Sequence, residues 1–255
     1  MAFGVASDYD RFMGRWSRRL APGFGAFAAV APGQRVLDVG CGSGVLTRHL
    51  VELLGADRVA AIDPAPGFVE AVRAAFPDVD VRQGAAESLP WADATFDGAL
   101  AQLVIRFTTD PLTAVREMAR VTRSGGTVAA CSWDETRMEM LALFWAAVAD
   151  ADALPDGSGG DPAAGRFPDT QALEDLWREA GLREVRTAVL EVSEEYGDAE
   201  DCWAPLTLGV GPAGEFARSL EPEVSARVRA AFVERVGPGP IRLTAAALCV
   251  RGAVP

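Results

Sequence analysis

The sequence predicts an α/β fold whose sheet is mostly parallel and carries helices on both faces. Three observations predict it. Short apolar segments alternate with helical segments between residues 36 and 133, the first apolar segment runs straight into a glycine-rich turn, and an amphipathic helix follows that turn. Right-handed crossovers would bring the carboxyl ends of the parallel strands, and any ligand, to one edge of the sheet.

The first strand, the glycine turn and the first helix form the most informative unit. Val36–Val39 is apolar except for Asp38, and the predicted helix spans residues 44–54, with an apolar stripe made by Leu46, Leu50, Leu53 and Leu54. The turn between them has the spacing GxGxG, formed by Gly40, Gly42 and Gly44, and not the GxGxxG of dinucleotide-binding folds. Glycines allow positive φ there and let a ligand approach the main chain.

The remaining elements follow from apolar pattern and breakers. The other predicted strands span residues 59–62, 79–83, 96–104, 127–133, 183–192 and 241–250, the last expected to run antiparallel to the sixth. Predicted helices span residues 8–30 (capped by Ser7 or Asp8 and broken at Pro22 and Gly23), 68–76, 112–122, 138–151 and 170–180, with a helical insertion at 198–236. The breaker-rich loop at 155–162 is either a lid or a plain surface excursion.

Composition limits the kinds of binding partner and the cellular location that we expect for the chain. The net charge of −12 disfavours binding to nucleic acid, and the small basic group formed by Arg11, Arg15, Arg18 and Arg19 is interpreted as solvated or cofactor-facing. No long apolar run or leader pattern predicts a membrane span or signal peptide. The four cysteines are scattered without a CxxC pair, which predicts neither disulfides nor a metal site and favours the cytoplasm. The chain has no lysine, which excludes lysine-based catalysis.

Several motifs occur in an order that resembles one family. They are the segment at 9–17, the glycine turn, the stretch at 83–91, Phe96-Asp97 and the segment at 120–126. Together they resemble the class I S-adenosylmethionine (SAM)-dependent methyltransferases, in the small-molecule subset related to quinone-methylating enzymes. The resemblance implies a Rossmann-like, seven-stranded, mostly parallel sheet with an antiparallel last strand. It also implies one domain over residues 1–255, with a helical cap from residues 1–30, 134–168 and 198–236.

The resemblance implies a set of cofactor-binding residues. Asp63 ends the second strand, where a carboxylate suits a ribose diol; alternatively, Asp63 and Pro64 form only a strand-ending turn. Ala85 stands where the family pattern usually has aspartate, which places a side-chain bond to the adenine in doubt. The other implied residues are Asp38, Gly40, Cys41, Gly42 and Gln102 at the methionine end, Pro64, Phe68, Ala86 and Glu87 around the adenine, and Tyr9 and Trp16 from the opening segment.

Candidates for the chemistry itself are few. Arg106, after the fourth strand, could orient a substrate anion or could be a solvent-facing strand end. Asp134 is the other candidate catalytic residue, and Glu135, Tyr9 and Tyr196 are further candidates for a base. His49, the only histidine, is predicted to be structural, so catalysis could rest on alignment alone. Trp133, at a strand tip, is a better pocket candidate than Phe144 or Trp145, which are predicted to pack the cap.

These expectations combine into one functional prediction. The chain would transfer the methyl group of SAM to an O, N or C nucleophile on a small organic molecule, in secondary metabolism, leaving S-adenosylhomocysteine (SAH). It would need no metal, nucleic acid or membrane. The alternatives are a SAM-binding enzyme of non-methylating chemistry such as cyclisation, and a non-catalytic SAM-binding subunit. The sequence indicates neither the substrate nor the oligomeric state.

Overall fold

A computed structural model describes residues 10–154 and 165–255. The predicted caps Ser7 and Asp8, the candidate Tyr9 and the loop at 155–162 lie outside these residues. The seven strands are β1 (Val36–Val39), β2 (Val59–Asp63), β3 (Asp80–Gln83), β4 (Phe96–Gln102), β5 (Thr122–Met138), β6 (Arg183–Tyr196) and β7 (Ile241–Ala253). Their order in the single sheet is β3-β2-β1-β4-β5-β7-β6.

The strand directions confirm the predicted fold class. Strands β1 to β5 pair in parallel, whereas β7 lies antiparallel between β5 and β6. The order reverses between β1 and β4, and ligands bind at such a switch point, outside the carboxyl ends of the strands.

Helices cover both faces of the sheet. They are α1 (Arg15–Phe27, after a π-helical turn at Asp10–Gly14), α2 (Val45–Leu54), α3 (Pro66–Ala75), α4 (Pro111–Val121), α5 (Glu139–Asp150), α6 (Thr170–Glu179), α7 (Ala199–Trp203), α8 (Gly211–Ser219) and α9 (Pro222–Val236). Buried side chains of α1, α2, α3, α5 and α7 to α9 join one core cluster, and those of α4 and α6 join the other. Successive side chains of a strand point to opposite faces of the sheet, so Val36 of β1 belongs to the first cluster and Leu37 to the second.

The predicted break at Pro22 and Gly23 is wrong. Helix α1 continues through Pro22, which is exposed, to Phe27. Leu20 and Phe24, on either side of the proline, are both fully buried. A proline inside a helix costs about 3 kcal/mol, and burying two large side chains contributes a similar amount or more. The buried stripe therefore keeps the helix intact.

The last three strands are longer than predicted. Strands β6 and β7 pair from Arg183↔Ala253 to Tyr196↔Ile241. This antiparallel pairing extends both strands beyond the apolar residues from which they were predicted. Strand β5 likewise includes residues 122–126, which were predicted to end a helix and form a turn. Strand β4, by contrast, stops at Gln102 because Leu103 adopts a positive φ of 64°.

The amino-terminal helix is tied to the far edge of the sheet by charge. The carboxylate of Glu194 on β6, which is 6% exposed, accepts hydrogen bonds from Arg15 and Arg19 at 3.3 and 2.9 Å. Arg18 instead pairs with Asp10. These three arginines therefore make ion pairs at the surface of α1. Among the described residues, no helix combines the length and apolar character needed to cross a membrane.

Candidate functional site

The glycine turn after β1 has the backbone that its sequence predicts. Gly40, Gly42 and Gly44 all have positive φ, at 71°, 52° and 82°. A Cβ atom at Gly40 would lie 2.5 Å from Val104 Cγ1, so Gly40 allows the turn after β4 to pack against the loop. A Cβ atom at Gly42 would meet nothing within 4 Å. Gly42 therefore presents bare backbone to open space.

That open space is a cavity of about 540 Å³ at the carboxyl edge of the sheet. Its walls come from the glycine turn, the end of β2, the segment after β3 and the turn after β4. The volume lies within the usual range for small-molecule and cofactor sites. Of the predicted cofactor residues, the cavity brings together Gly40, Gly42, Asp63, Pro64, Phe68, Ala86 and Glu87.

Asp63 is the charged group placed deepest in this wall. Its side chain is 6% exposed and accepts hydrogen bonds from the backbone N–H groups of Gly42 and Ala65, both at 2.9 Å. Burial raises the pKa of the Asp63 carboxyl, and the two backbone hydrogen bonds oppose that rise. Each carboxylate oxygen keeps further capacity to accept hydrogen bonds. The same side chain therefore braces the glycine turn and offers acceptors to a diol in the cavity.

The segment after β3 differs from its predicted role in one respect. Glu87 was expected to reach the edge of an adenine ring, but its Oε1 accepts hydrogen bonds from the backbone N–H groups of Thr109 and Asp110, at 2.7 and 3.3 Å. Its carboxylate therefore holds the turn between β4 and α4. Ala85 and Ala86 line the cavity beside it without a side-chain acceptor. Recognition of a base here would fall to backbone groups and apolar contact.

A smaller cavity of about 50 Å³ adjoins the first, and the two share Gly40, Gly42, Leu103 and Val104 as walls. Asp38, Cys41 and Gln102 line it. Gln102 Nε2 donates to the carbonyl oxygen of Ser17 at 3.2 Å, whereas Gln102 Oε1 is buried and has no hydrogen-bond partner among the residues that the structure describes. A buried acceptor without a partner costs free energy, and a ligand ammonium group could satisfy it.

Asp38 is the acidic residue of the smaller cavity. It is 1% exposed and accepts a hydrogen bond from Thr47 Oγ1 at 2.6 Å. Burial is the main cause that raises the pKa of the Asp38 carboxyl from 3.8 to about 7. A cationic group beside Asp38 would favour its ionised form and reverse this shift. Asp38 and Gln102 together fit the amino group of an amino-acid moiety.

The raised pKa of Asp38 gives a prediction about stability. Between pH 4 and 7 the folded protein holds a proton on Asp38 that the unfolded chain releases, so this residue lowers the free energy of unfolding as pH rises through that window, by up to about 1.4 kcal/mol per pH unit. Chemical unfolding of the wild type and of Asp38→Asn from pH 4 to 8 measures the difference. We expect the wild type to lose stability relative to the variant as pH rises; parallel curves would contradict the shift.

The two residues of the opening segment that were predicted to contact the cofactor are Trp16 and Tyr9. The Trp16 side chain is fully buried against the sheet, and its indole N–H donates to the Tyr196 hydroxyl at 3.0 Å. Trp16 lines neither cavity, so its observed role is packing. Tyr9 lies outside the described residues.

His49 is half-buried and packs against α1. A Cβ atom added at Gly25 of α1 would lie only 2.9 Å from His49 Nε2.

The candidate acids and bases are mostly engaged with protein groups. Tyr196 is buried, which raises the pKa of its phenol and opposes a role as a base. Asp134 Oδ1 accepts from the backbone N–H and hydroxyl of Thr136, at 3.0 and 2.6 Å, in a local turn. Arg106 is 8% exposed and forms an ion pair with Glu135. Arg106 is therefore not the solvent-facing strand end of the alternative interpretation, and Glu135 neutralises its charge.

Arg166 is a contributor that sequence reasoning missed. Its Nη1 donates to the carbonyl oxygens of Arg106 and Thr108 at 3.0 and 2.5 Å. Next to it, the backbone N–H of Gly165 donates to Glu135 Oε2 at 3.3 Å. The turn held in this way supplies Phe107, Thr108 and Thr109 to the larger cavity. Arg166 lies about sixty positions from its partners, in a segment with no motif, so no signal in the sequence could have identified it.

We expect Arg166→Ala to weaken cofactor binding by about three- to tenfold, because two charge-assisted hydrogen bonds that hold the cavity wall are lost. Calorimetric titration with SAH and a thermal melt separate loss of affinity from loss of the fold. Arg116→Ala, on the exposed side of α4, is the matched control and should leave both unchanged. Wild-type affinity in Arg166→Ala would show that the turn holds its position without this residue.

Comparison with known proteins identifies this part of the chain. Residues 37–130, which contain β1 to β4, α2 to α4 and most walls of both cavities, match the family described as "Methyltransferase domain". Residues 37–130 therefore resemble a methyltransferase domain, a family whose cofactor is SAM. They contain the glycine turn, Asp38, Asp63 and Gln102.

One curated relative matches part of the chain, and two solved structures match most of it in fold. The chain is 38% identical over 112 residues to a demethylmenaquinone methyltransferase of Renibacterium salmoninarum, a match that covers 44% of this chain and 45% of the relative. The chain therefore spans less than half the length of that relative. A SAM-dependent methyltransferase of Thermotoga maritima matches in fold with a TM-score of 0.52 at 19% identity, covering 98% of this chain and 99% of that one. The [4+2]-cyclase SpnF also matches in fold, with a TM-score of 0.54 at 22% identity, over 93% of this chain and 81% of that one.

Proposed function

We propose that the chain is a SAM-dependent methyltransferase that methylates an O, N or C nucleophile of a small organic molecule in secondary metabolism. The observation that carries the proposal is the pair of adjoining cavities at the sheet edge, one with Asp63 in its wall and the other with Asp38 and the unpartnered Gln102 Oε1. The two cavities suit the nucleoside and the amino-acid portions of one elongated ligand. When bound, SAM would supply an electrophilic sulfonium methyl group, which passes to the nucleophile as the S–CH3 bond breaks and SAH leaves with its electron pair.

The residues of the chain contribute mainly binding and orientation. Asp63 would accept hydrogen bonds from the ribose hydroxyls, and Pro64 and Phe68 would provide apolar contact to the base. Asp38 and Gln102 would hold the ammonium group, while the bare backbone at Gly42 would allow close approach. Holding two reactants in line can supply a large part of a rate enhancement.

No strong general base stands out at the sheet edge among the described residues. Asp134 is engaged with Thr136, Glu135 pairs with Arg106, and the Tyr196 phenol is buried with a raised pKa. We propose that alignment dominates and that the acceptor loses its proton to solvent before the cap excludes water. Arg106 and Asp134 remain candidates for substrate contact, with Arg106 acting as an ion pair with Glu135.

The acceptor that we favour for the first assays is an oxygen-bearing aromatic molecule. A relative that matches over the domain is a demethylmenaquinone methyltransferase, which supports a quinol as a probe. The helices α1, α5 and α7 to α9 are proposed to form a cap over the edge that excludes water from a desolvated nucleophile. The chain would act as one methyltransferase domain, and its four unpaired cysteines, all buried, support a cytoplasmic location.

The test is release of SAH from SAM in the presence of 1,4-naphthohydroquinone and a panel of phenols, followed by mass spectrometry of both products. SAH formed in equal amount to a methylated acceptor supports the proposal, and Asp63→Ala should lower the rate. Tight SAM binding with a rearranged acceptor and no SAH would instead indicate non-methylating chemistry such as cyclisation. Tight binding without any turnover would favour a non-catalytic subunit.

A further inference from the structure

Trp133 lies on β5 at the carboxyl edge of the sheet, although it lines neither of the two cavities. On β5, Cys131 pairs with Gln102 at the carboxyl end of β4, and Trp133 follows two residues later, opposite Ala247 of β7. Side chains two apart on a strand share a face of the sheet. Cys131 and Trp133 both belong to the core cluster on the α1 face, toward which Gln102 also points, since it bonds to Ser17. Trp133 and Gln102 are therefore neighbours at the same edge and on the same face.

The indole N–H of Trp133 differs from those of three other buried tryptophans. Trp133 is 9% exposed, and its Nε1 is buried without a hydrogen-bond partner in the described part of the chain. The indole N–H groups of Trp16, Trp91 and Trp177 instead donate to Tyr196, Asp80 and Val128, at 3.0, 2.9 and 3.0 Å. A buried donor without an acceptor costs about 1–3 kcal/mol. In the described part of the chain, the buried side-chain polar atoms without a partner are Trp133 Nε1 and Gln102 Oε1, both at the edge where parallel sheets bind ligands.

The surroundings indicate which acceptor the N–H would take. The core cluster that contains Trp133 is mostly apolar, and its members near Trp133 along the chain include Cys131 and Met138. Arg137, four residues after Trp133, is paired with Glu191, and Arg106, in the turn after β4, is paired with Glu135. Burying an uncompensated carboxylate in an apolar wall is costly, whereas a carbonyl or phenolic oxygen needs only one donor. The site therefore favours a neutral, largely apolar acceptor molecule that bears such an oxygen.

We propose that Trp133 determines substrate specificity by donating its indole hydrogen bond to a carbonyl or phenolic oxygen of the methyl acceptor. The inference rests on the proposed function, because it assigns the substrate class of the same site. It predicts a specific outcome for the variant Trp133→Phe. That variant keeps an aromatic ring and removes a donor that has no partner in the fold, so the protein without substrate should lose little stability.

The experiment uses the full chain saturated with SAH and labelled with ¹⁵N on the tryptophan indoles. The Trp133 signal is assigned by its absence in Trp133→Phe, and 1-naphthol, 1,4-naphthoquinone and naphthalene are titrated in turn. We expect the oxygen-bearing probes to shift the Trp133 N–H signal and to bind Trp133→Phe about tenfold more weakly. Naphthalene should bind both proteins equally. SAH affinity and the melting temperature should stay near the wild-type values.

Trp177→Phe is the matched control, since it removes an indole N–H that does have a partner, the carbonyl oxygen of Val128. It should lower the melting temperature and leave naphthol affinity unchanged. The inference is overturned if Trp133→Phe binds the oxygen-bearing probes like the wild type, if neither probe binds the wild-type complex, or if Trp133→Phe is destabilised as much as Trp177→Phe. Failure of SAH itself to bind would instead contradict the proposed function.

Discussion

Asp63→Ala is expected to weaken the binding of SAM and SAH by about 10- to 150-fold, equivalent to about 1.5–3 kcal/mol. The variant removes the acceptors offered to the ribose and the two hydrogen bonds, from the N–H groups of Gly42 and Ala65, that brace the glycine turn. Isothermal calorimetry measures the affinity, and circular dichroism monitors the fold. Burial raises the pKa of Asp63, so the titrations are run at pH 8, which favours its ionised form.

Two further variants make this result specific. Asp57→Ala removes an exposed carboxylate just before the same strand and should bind like the wild type. Asp63→Asn keeps one oxygen acceptor and should bind between the wild type and Asp63→Ala. A folded Asp63→Ala protein with wild-type affinity would remove Asp63 from the site, and would favour the interpretation of Asp63 and Pro64 as a plain turn.

Gly42→Ala is expected to reduce cofactor affinity by tenfold or more while costing only about 1–2 kcal/mol of stability. The stability cost is the strain of a side chain at positive φ, since the added Cβ atom meets no protein atom within 4 Å. The affinity cost arises because that atom enters the space shared by both cavities. Calorimetry with SAH and urea unfolding measure the two effects separately.

Gly40→Ala provides the contrast two positions away. Its Cβ atom would lie 2.5 Å from Val104 Cγ1, so the strain of positive φ is joined by overpacking of about 1–3 kcal/mol. We expect Gly40→Ala to lose more stability than Gly42→Ala. We expect Gly42→Ala to lose more cofactor affinity relative to the stability that it loses. Wild-type affinity in Gly42→Ala would mean that the ligand does not approach the backbone there.

The sheet and the cofactor loop could be predicted because their signals are local. Asp38 and the three glycines lie within seven residues, and their strand, turn and helix follow from apolar pattern and backbone preference. The antiparallel placement of β7 against β6 was also predicted. The extent of these strands was not, because their ends are held by cross-strand hydrogen bonds and not by their own apolar pattern.

The rest of the site depends on tertiary contacts that a sequence does not display. Glu87 has the spacing of a ligand residue, yet its carboxylate is held by backbone N–H groups about twenty residues later. Trp16 lies in a motif resembling a cofactor-binding segment, yet it packs against Tyr196, 180 positions away. Arg166 has no motif at all. Each outcome depends on which distant group supplies the hydrogen-bond partner, and this is settled only when the layers pack.

Calorimetric titration of SAH into the purified, ligand-free full chain tests the account most directly. The two adjoining cavities, with Asp38, Asp63 and Gln102 in their walls, predict one site per chain with micromolar affinity, and that affinity should fall in both Asp63→Ala and Gly42→Ala. Absence of binding by a folded chain, or binding that neither substitution weakens, would contradict the assignment of the cofactor to this edge of the sheet.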